Sequence, residues 1–317
     1  MVERLKVIER VKTMGKTAFI FPGQGAQYVG MAKDFYDTYP VCREVFQMAS
    51  KASGLDVEAL CFEENENINI TEYTQIAMMA AELAMWKAVD EKGYHADVTA
   101  GLSLGEYGAL AVSGVMSLED VFKTVRKRGI FMQEAVPTGG AMTAVLGMDT
   151  EKIEQICEEV EGQVSIANYN CPGQIVITGE EKAVAEAAEK LTAAGAKRCV
   201  ALKVSGPFHS PMLAGAGEKL AEQLAEVELG DMKIPYLYNV TGEYVTDVSE
   251  VKDLLRRQVA SSVKWQQSVE RMIADGVDTF VEIGPGKTLS GFMRKINRDV
   301  KVLNIEKVED LEKLASL

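Results

Sequence analysis

Apolar positions in this chain fall into short runs and longer helical stripes that alternate along its length. "TAFIF" (17–21) is a continuous apolar run that predicts a buried strand, followed by the turn-rich "PGQGAQ". Residues 72–92 are rich in Ala, Met and Leu and predict a long helix. "ADVTAG" (96–101) predicts a second strand that runs directly into "GLSLG". Helices are predicted at about 105–113 and 118–136. Ser117 opens the second of these, with Asp120 in its first turn, the usual signal of a helix N-terminus.

From about 139 to 204 the pattern changes to short strands broken by two helices. "AMTAVLG", "QVSIAN", "QIVITG" and "AKRCVALKV" predict strands, and "TEKIEQICEEVE" and "EKAVAEAAEKLTAAG" predict helices. The order βαββαβ is ferredoxin-like, and we place a compact inserted subdomain at residues 138–205. Residues 1–137 and 206–317 form the larger α/β unit around it. Its second part predicts a helix at about 211–227, a strand at "IPYLYNV" and helices near 250–259 and 265–275. A strand at "DTFVEIG" and a helix opened by "GPGKTLSGFMRKI" complete it. Strands alternating with helices predict a mostly parallel sheet covered on both faces.

Composition narrows the function. With 317 residues and 47% apolar content, the chain supports a sizeable core. Its net charge of −13 argues against a general nucleic-acid binder or a basic membrane-surface protein. No apolar run approaches the roughly 18 residues of a membrane span. Residues 1–14 carry charges throughout and no apolar segment, so they read as a short helix or an extension and not as a secretory signal. The five cysteines (Cys42, Cys61, Cys157, Cys171, Cys199) are odd in number and widely spaced, which suits reduced thiols in the cytoplasm.

The candidate chemistry begins at "GLSLGEY" (101–107), where Ser103 has the spacing G-x-S-x-G. A predicted strand leads in and a predicted helix leads out, the setting of a nucleophile elbow. The other reading is a structural turn. A nucleophilic serine needs a base, and there are two histidines. His95 lies in the polar turn "GYHADV" and reads as an exposed loop residue. His209, in "VSGPFHSPM" between a strand and a helix, is the better candidate base. Helix 118–136 carries the apolar stripe Leu118, Val121, Phe122, Val125, Met132 and Ala135, and Arg128 falls on it. A charge there is paired internally or faces a cavity. In the second case its guanidinium fork suits a carboxylate on an acyl substrate. "FPGQGAQYVG" (21–30) is a second glycine-rich loop, but Tyr28 stands where a dinucleotide fingerprint needs its third glycine. It reads instead as backbone crowded against the site, with Gln24 offering an N–H.

Together "FPGQGAQ", "GLSLGEYGAL", "RGIFMQEAV", "NYNCPGQIVITG", "GPFHSPM" and "EIGPGKTLSG" resemble the malonyl-CoA:acyl carrier protein transacylases of bacterial fatty-acid synthesis. The resemblance runs from about Thr17 to past residue 300. It implies an α/β-hydrolase-like core with an inserted ferredoxin-like subdomain. It implies that Ser103 takes the malonyl group as an ester, with His209 as general base and acid. The oxyanion hole would be the backbone N–H groups of Gln24 and Leu104, and Arg128 would pair with the malonyl carboxylate. Gln75, Met132, Asn168 and Gln258 match pocket-lining positions, and the Gln258 carbonyl would orient the histidine. Many members read GHSLGE where this chain has Leu102; this alters a pocket wall and leaves the base unchanged. Phe208 resembles the pattern of malonyl-selecting members.

The resemblance also implies partners: malonyl-CoA and holo acyl carrier protein, with no nucleic acid and no membrane, and a monomer. The CoA thioester is a substrate, and no cofactor or metal is expected. Lys123, Arg126 and Lys127, with Lys287, Arg294, Lys295 and Arg298, would offer the acidic carrier a cationic face. Two other functions share much of this pattern. A thioesterase or esterase predicts a triad acid ahead of a late histidine and an HGGG-like loop, neither of which the sequence offers. A stand-alone acyltransferase serving a polyketide synthase is barely separable by sequence.

Overall fold

The computed structural model describes residues 15–317, so the expectation for residues 1–14 lies outside the described residues. The chain runs through β1 (Lys16–Phe21), α1 (Lys33–Thr38), α2 (Pro40–Ser53), α3 (Val57–Phe62) and α4 (Thr71–Glu91). It continues with β2 (Val98–Gly101), α5 (Gly105–Ser113), α6 (Leu118–Ala135), β3 (Gly140–Leu146) and α7 (Thr150–Glu158). Next come β4 (Val164–Cys171), β5 (Gln174–Glu180), α8 (Glu181–Ala193), β6 (Arg198–Ala201) and α9 (Ala214–Ala225). The chain closes with α10 (Val251–Gln258), α11 (Trp265–Ala274), β7 (Val277–Ile283), α12 (Thr288–Ile296) and β8 (Lys301–Ile305).

The first sheet is parallel, in the order β2-β1-β7-β8. Ala18, Phe19, Ile20 and Phe21 of β1 are all fully buried, as a central strand covered on both faces requires. Phe19 and Phe21 pack with α4, α5 and α6, while Ala18 and Ile20 pack with Trp265, Val269, Leu289 and Phe292 from the opposite layer. Helix α4 is buried on all sides from Thr74 to Met85 and passes through the middle of the larger layer. Ser117 caps α6 by accepting from the Asp120 N–H at 3.1 Å.

The second sheet is antiparallel, in the order β4-β5-β3-β6, with α7 and α8 between its strands in sequence. This is the ferredoxin-like arrangement of a βαββαβ unit. Val145, Ile166, Ile175 and Ile177 meet Ile153, Ile156, Val184 and Leu191 in a small core of their own. Met142, Ala167 and Val176 instead join the core of the larger unit, so this sheet presents one face toward the parallel sheet. Among the described residues no helix is long and apolar enough to cross a membrane.

Several elements differ from the sequence expectation. "IPYLYNV" is not a full strand. It makes only isolated bridges, Thr99 to Tyr236 and Leu237 to Tyr244, because the chain turns at once so that the Asn239 amide side chain reaches inward to Gly101 and Ser103. The strand expected over 196–204 ends at Ala201; Leu202 and Val204 leave the sheet and line a cavity. Strand β4 runs on to Cys171, so its hairpin to β5 needs only Pro172 and Gly173. Helices α1–α3 and strand β8 were not anticipated; α1 and α3 are too brief for a clear stripe, whereas α2 carries one in Cys42, Val45, Phe46 and Ala49 that the sequence reading passed over.

The elbow between β2 and α5 is set by contact distances. A Cβ on Gly101 would lie 1.9 Å from the Gly105 backbone, and one on Gly105 would lie 2.2 Å from the Phe21 carbonyl oxygen. Both glycines of G-x-S-x-G are therefore demanded by backbone meeting backbone, which cannot move aside as a side chain can. By contrast, a Cβ on Gly291 within α12 would meet nothing within 4 Å. Gly105→Ala should lower unfolding stability by at least the ~1–3 kcal/mol typical of overpacking. Gly291→Ala should raise it by up to ~1 kcal/mol through helix propensity. Urea unfolding midpoints of the two variants test this; equal midpoints would contradict it.

Candidate active site

The C-terminal ends of β1, β2 and β7 open toward the second sheet, the edge at which parallel α/β sheets bind ligands. A cavity of about 230 Å³ lies there. Ser103, Leu104, Gln24, Gln75, Arg128, Met132, Asn168, Phe208 and His209 all line it. The roof is supplied by Met142, Asn170 and Val176 of the second sheet and by Phe292 of α12.

Ser103 has φ +54°, a left-handed conformation that costs a non-glycine residue about 1–2 kcal/mol. Its own backbone groups offset this cost. The Ser103 N–H donates to Asn239 Oδ1 at 2.6 Å, and the Ser103 carbonyl accepts from Gln258 Nε2 at 2.9 Å. The hydroxyl is thereby held out at the start of α5, partly exposed to the cavity.

Ser103 Oγ lies 2.7 Å from His209 Nε2. His209 Nδ1 lies 2.9 Å from the backbone carbonyl of Gln258. A carbonyl only accepts, so Nδ1 carries the proton and Nε2 presents its lone pair to the serine. His209 is 4% exposed, and it too has a positive φ, +61°. Burial, reinforced by the positive charge of Arg128, pulls its pKa down to about 4. The imidazole is thus neutral, and able to accept a proton, through the physiological range.

Arg128 is 1% exposed. Its Nη1 donates to Gln75 Oε1 at 2.8 Å, and its Nη2 to Gln258 Oε1 at 3.0 Å and Ser103 Oγ at 3.2 Å. Its guanidinium stands 5.6 Å from the centre of the Tyr107 ring, and its Nε has no partner among the described residues. None of the partners is a carboxylate. Bonds from a charged donor are worth roughly 1.5–3 kcal/mol each, against several kcal/mol for taking an ion out of water. Burial accordingly lowers the Arg128 pKa from its ordinary value. Of the two alternatives for this residue, the internal ion pair is absent among the described residues, and the side chain faces the cavity.

The loop after β1 forms the opposite wall. Gln24 Nε2 donates to Thr71 Oγ1 at 3.0 Å, which ties the loop to the first residue of α4. Among the described residues, neither the Gln24 N–H nor the Leu104 N–H donates to a protein acceptor. Gly23 leaves no room for a side chain, since its Cβ would lie 2.8 Å from the Leu102 carbonyl oxygen.

Gln258 sits differently from the expectation of a pocket wall. It is fully buried behind Arg128 and His209, and its side chain binds protein atoms alone. Gln75 does line the cavity, and it also supports the arginine, with its Nε2 turned to Met132 Sδ at 3.5 Å. Asn239 and Glu106 were missed by sequence reasoning. Asn239 lies in a segment read as strand, and nothing local marks it. Glu106 follows the elbow directly, and its polarity in an apolar helix was an available signal. His95 is exposed beside Asp90 and remote from the site.

The chain is similar to known proteins over nearly its whole length. The acyl transferase domain family matches residues 18–312. Malonyl CoA-acyl carrier protein transacylase of Bacillus subtilis is 44% identical over 304 residues, covering 94% of this chain and 96% of that protein. The crystal structure of malonyl CoA-acyl carrier protein transacylase from Clostridium perfringens superposes with a TM-score of 0.92 at 46% identity, covering 95% of this chain and 96% of that one. A malonyl-transacylase solved in complex with a type II PKS acyl-carrier protein superposes with a TM-score of 0.91 at 39% identity, over 94% of this chain and 98% of that one. With its elbow serine, its histidine and its buried arginine set in a chain matched nearly end to end, this protein belongs to the acyl transferase domain family, among the malonyl CoA-acyl carrier protein transacylases.

Proposed function

We propose that this enzyme transfers a malonyl group from malonyl-CoA to the phosphopantetheine thiol of acyl carrier protein, for fatty-acid synthesis, through a malonyl ester on Ser103. The observation that carries the reading is a buried Arg128 without a carboxylate partner, 3.2 Å from the serine hydroxyl. An acyl group with a free carboxylate supplies the missing anion, and the guanidinium fork can hold it in two parallel bonds.

In the first half-reaction Ser103 Oγ attacks the thioester carbonyl while its proton passes to His209 Nε2. Negative charge develops on the carbonyl oxygen, and the unpaired N–H groups of Gln24 and Leu104 are the donors for it. His209 then gives its proton to the departing CoA thiolate. In the second half, the carrier thiol is deprotonated by His209 and attacks the malonyl ester; the ester C–O bond breaks, and His209 returns the proton to Ser103 Oγ, which restores the serine. The Gln258 carbonyl holds the imidazole in one tautomer throughout, so a backbone group fills the place that a triad acid holds in a hydrolase. This favours the transferase over the esterase reading.

Met132 and Phe208 wall the acyl chamber, and Asn168 lines it from the second sheet. For the carrier, the cationic face expected from sequence divides in two. Arg126 is committed to Glu72 at 2.9 Å, and Lys123 to Glu119 at 2.7 Å. Among the described residues Lys287, Arg294 and Arg298 make no ion pair; Lys287 and Arg298 flank α12 and Arg294 lies in its last turn, and Thr288 and Phe292 of the same helix reach the cavity. We assign the docking role to this end. The five free cysteines support a reducing, cytoplasmic setting.

Arg128→Ala should lower kcat/KM for malonyl transfer by roughly a hundredfold, the loss of charge-assisted bonds to the carboxylate. Acetyl transfer, which has no such carboxylate, should change far less. Stopped-time assays with both CoA esters measure the ratio, and an equal loss for the two would remove the clamp role. His209→Ala should slow ester formation on Ser103 by roughly 10²–10⁴-fold. Quenched-flow labelling at the wild-type rate would show that another group takes the proton.

A further inference from the structure

Glu106 has no part in the reaction described above, yet the site is built on it. It lies in the first turn of α5 and is 1% exposed. Its Oε2 accepts from the Asn239 N–H at 3.1 Å and from Gln258 Nε2 at 2.7 Å. Those two residues hold the reacting groups. Asn239 Oδ1 accepts from the Ser103 N–H, and Asn239 Nδ2 donates to the Gly101 carbonyl at 2.7 Å. Gln258 binds the Ser103 carbonyl through Nε2, Arg128 through Oε1 and His209 through its backbone carbonyl.

The direction of the Gln258 amide is the critical feature. An ionised carboxylate only accepts, whereas a primary amide donates at one end and accepts at the other. With Glu106 ionised, Nε2 must face it, and Oε1 is left facing Arg128. A reversed amide would set an NH₂ group against the guanidinium and a carbonyl against the carboxylate. The same arrangement places an anion one amide away from Arg128. A carboxylate in direct contact would occupy the fork needed for substrate; through Gln258 it offsets the buried charge and leaves the fork open.

We propose that Glu106 is a positioning residue whose carboxylate form fixes the Gln258 amide and, through it, the register of Ser103, His209 and Arg128, so that protonation of Glu106 switches the site off. The inference rests on the roles proposed for those three residues.

The charged and titratable groups around Glu106 are Arg128 on α6, Tyr107 on α5 itself, and Tyr236 and Tyr238 in the segment ahead of α10. Burial raises all three tyrosine hydroxyls above their ordinary range, so they stay neutral. Burial also pushes the Glu106 carboxyl up to about 7, against the lowering effects of Gln258, Asn239 and Arg128. Falling pH therefore protonates Glu106 well before His209, whose pKa is about 4. A proton on Oε2 would meet both donors, and a proton on either oxygen withdraws the negative charge that orders those donors and offsets Arg128, so activity should fall as pH drops through about 7.

The test compares wild type, Glu106→Gln and Glu106→Asp. Two readouts are taken between about pH 5 and pH 9: the rate at which a fluorophosphonate modifies Ser103, and kcat and KM for malonyl transfer. Wild type should lose reactivity below about pH 7. Glu106→Gln should show a plateau lower by roughly ten- to a hundredfold, with its acid limb moved toward that of His209. Glu106→Asp, which keeps an acceptor-only group, should recover part of the plateau and the acid limb. If Glu106→Gln does not fold, wild type and Glu106→Asp still decide the matter. A wild-type profile flat down to about pH 5, or a Glu106→Gln profile with the wild-type limb, overturns the proposal. The probe carries no malonyl group, so a wild type that shows the limb with the probe but moves no malonyl refutes the substrate reading and leaves this inference standing. A wild type in which Ser103 ignores the probe refutes both.

Discussion

A guanidinium buried within an apolar helix stripe, with only neutral acceptors around it, sets the character of this site. Arg128 cannot be satisfied by Gln75, Gln258 and Ser103 as fully as by a carboxylate. Its field acts on its neighbours. It helps keep His209 neutral, and it offers stabilisation to an anion in the cavity. In the proposed function, selectivity for a charged acyl group and readiness of the general base both come from one residue. The arrangement is tolerable because the charge is spread through amides to Glu106 on the protein side.

The scaffold supplies rigidity where the chemistry needs it. The elbow is packed so closely against β1 that Gly101 and Gly105 admit no side chain. Ser103 and His209 both adopt positive φ, and in each case hydrogen bonds to residues distant in sequence hold the conformation. For Ser103 these are side-chain amides at 239 and 258; for His209 it is a backbone carbonyl at 258. The antiparallel sheet contributes no reacting group. Its role is to close the cavity over the parallel sheet with Met142, Asn168, Asn170 and Val176.

The groups proposed to react were legible in the sequence because each leaves a local mark. Ser103 has flanking glycines between a strand and a helix, His209 is one of two histidines, and Arg128 interrupts an apolar stripe. The alternation of strands and helices likewise announced both sheets. The supporting network left no such mark. Asn239 meets Ser103 across 136 residues of sequence, and Gln258 meets Glu106 across 152; no periodicity encodes such pairings. "IPYLYNV" was misread for a related reason. Its residues have strand propensity, but the bonds that a strand would make are exchanged for the turn that brings Asn239 to the elbow. Strand propensity reflects packing against neighbours, and here the neighbour is the active site.

The proposed cycle turns on whether Ser103 carries a malonyl group between two thiols. Intact-protein mass spectrometry after brief mixing with malonyl-CoA, followed by addition of holo acyl carrier protein, addresses this most directly. A malonyl adduct should form on the wild type, be absent from Ser103→Ala, and disappear as malonyl-carrier forms. An adduct that persists in Ser103→Ala, or one lost to water with the carrier left unloaded, would contradict it.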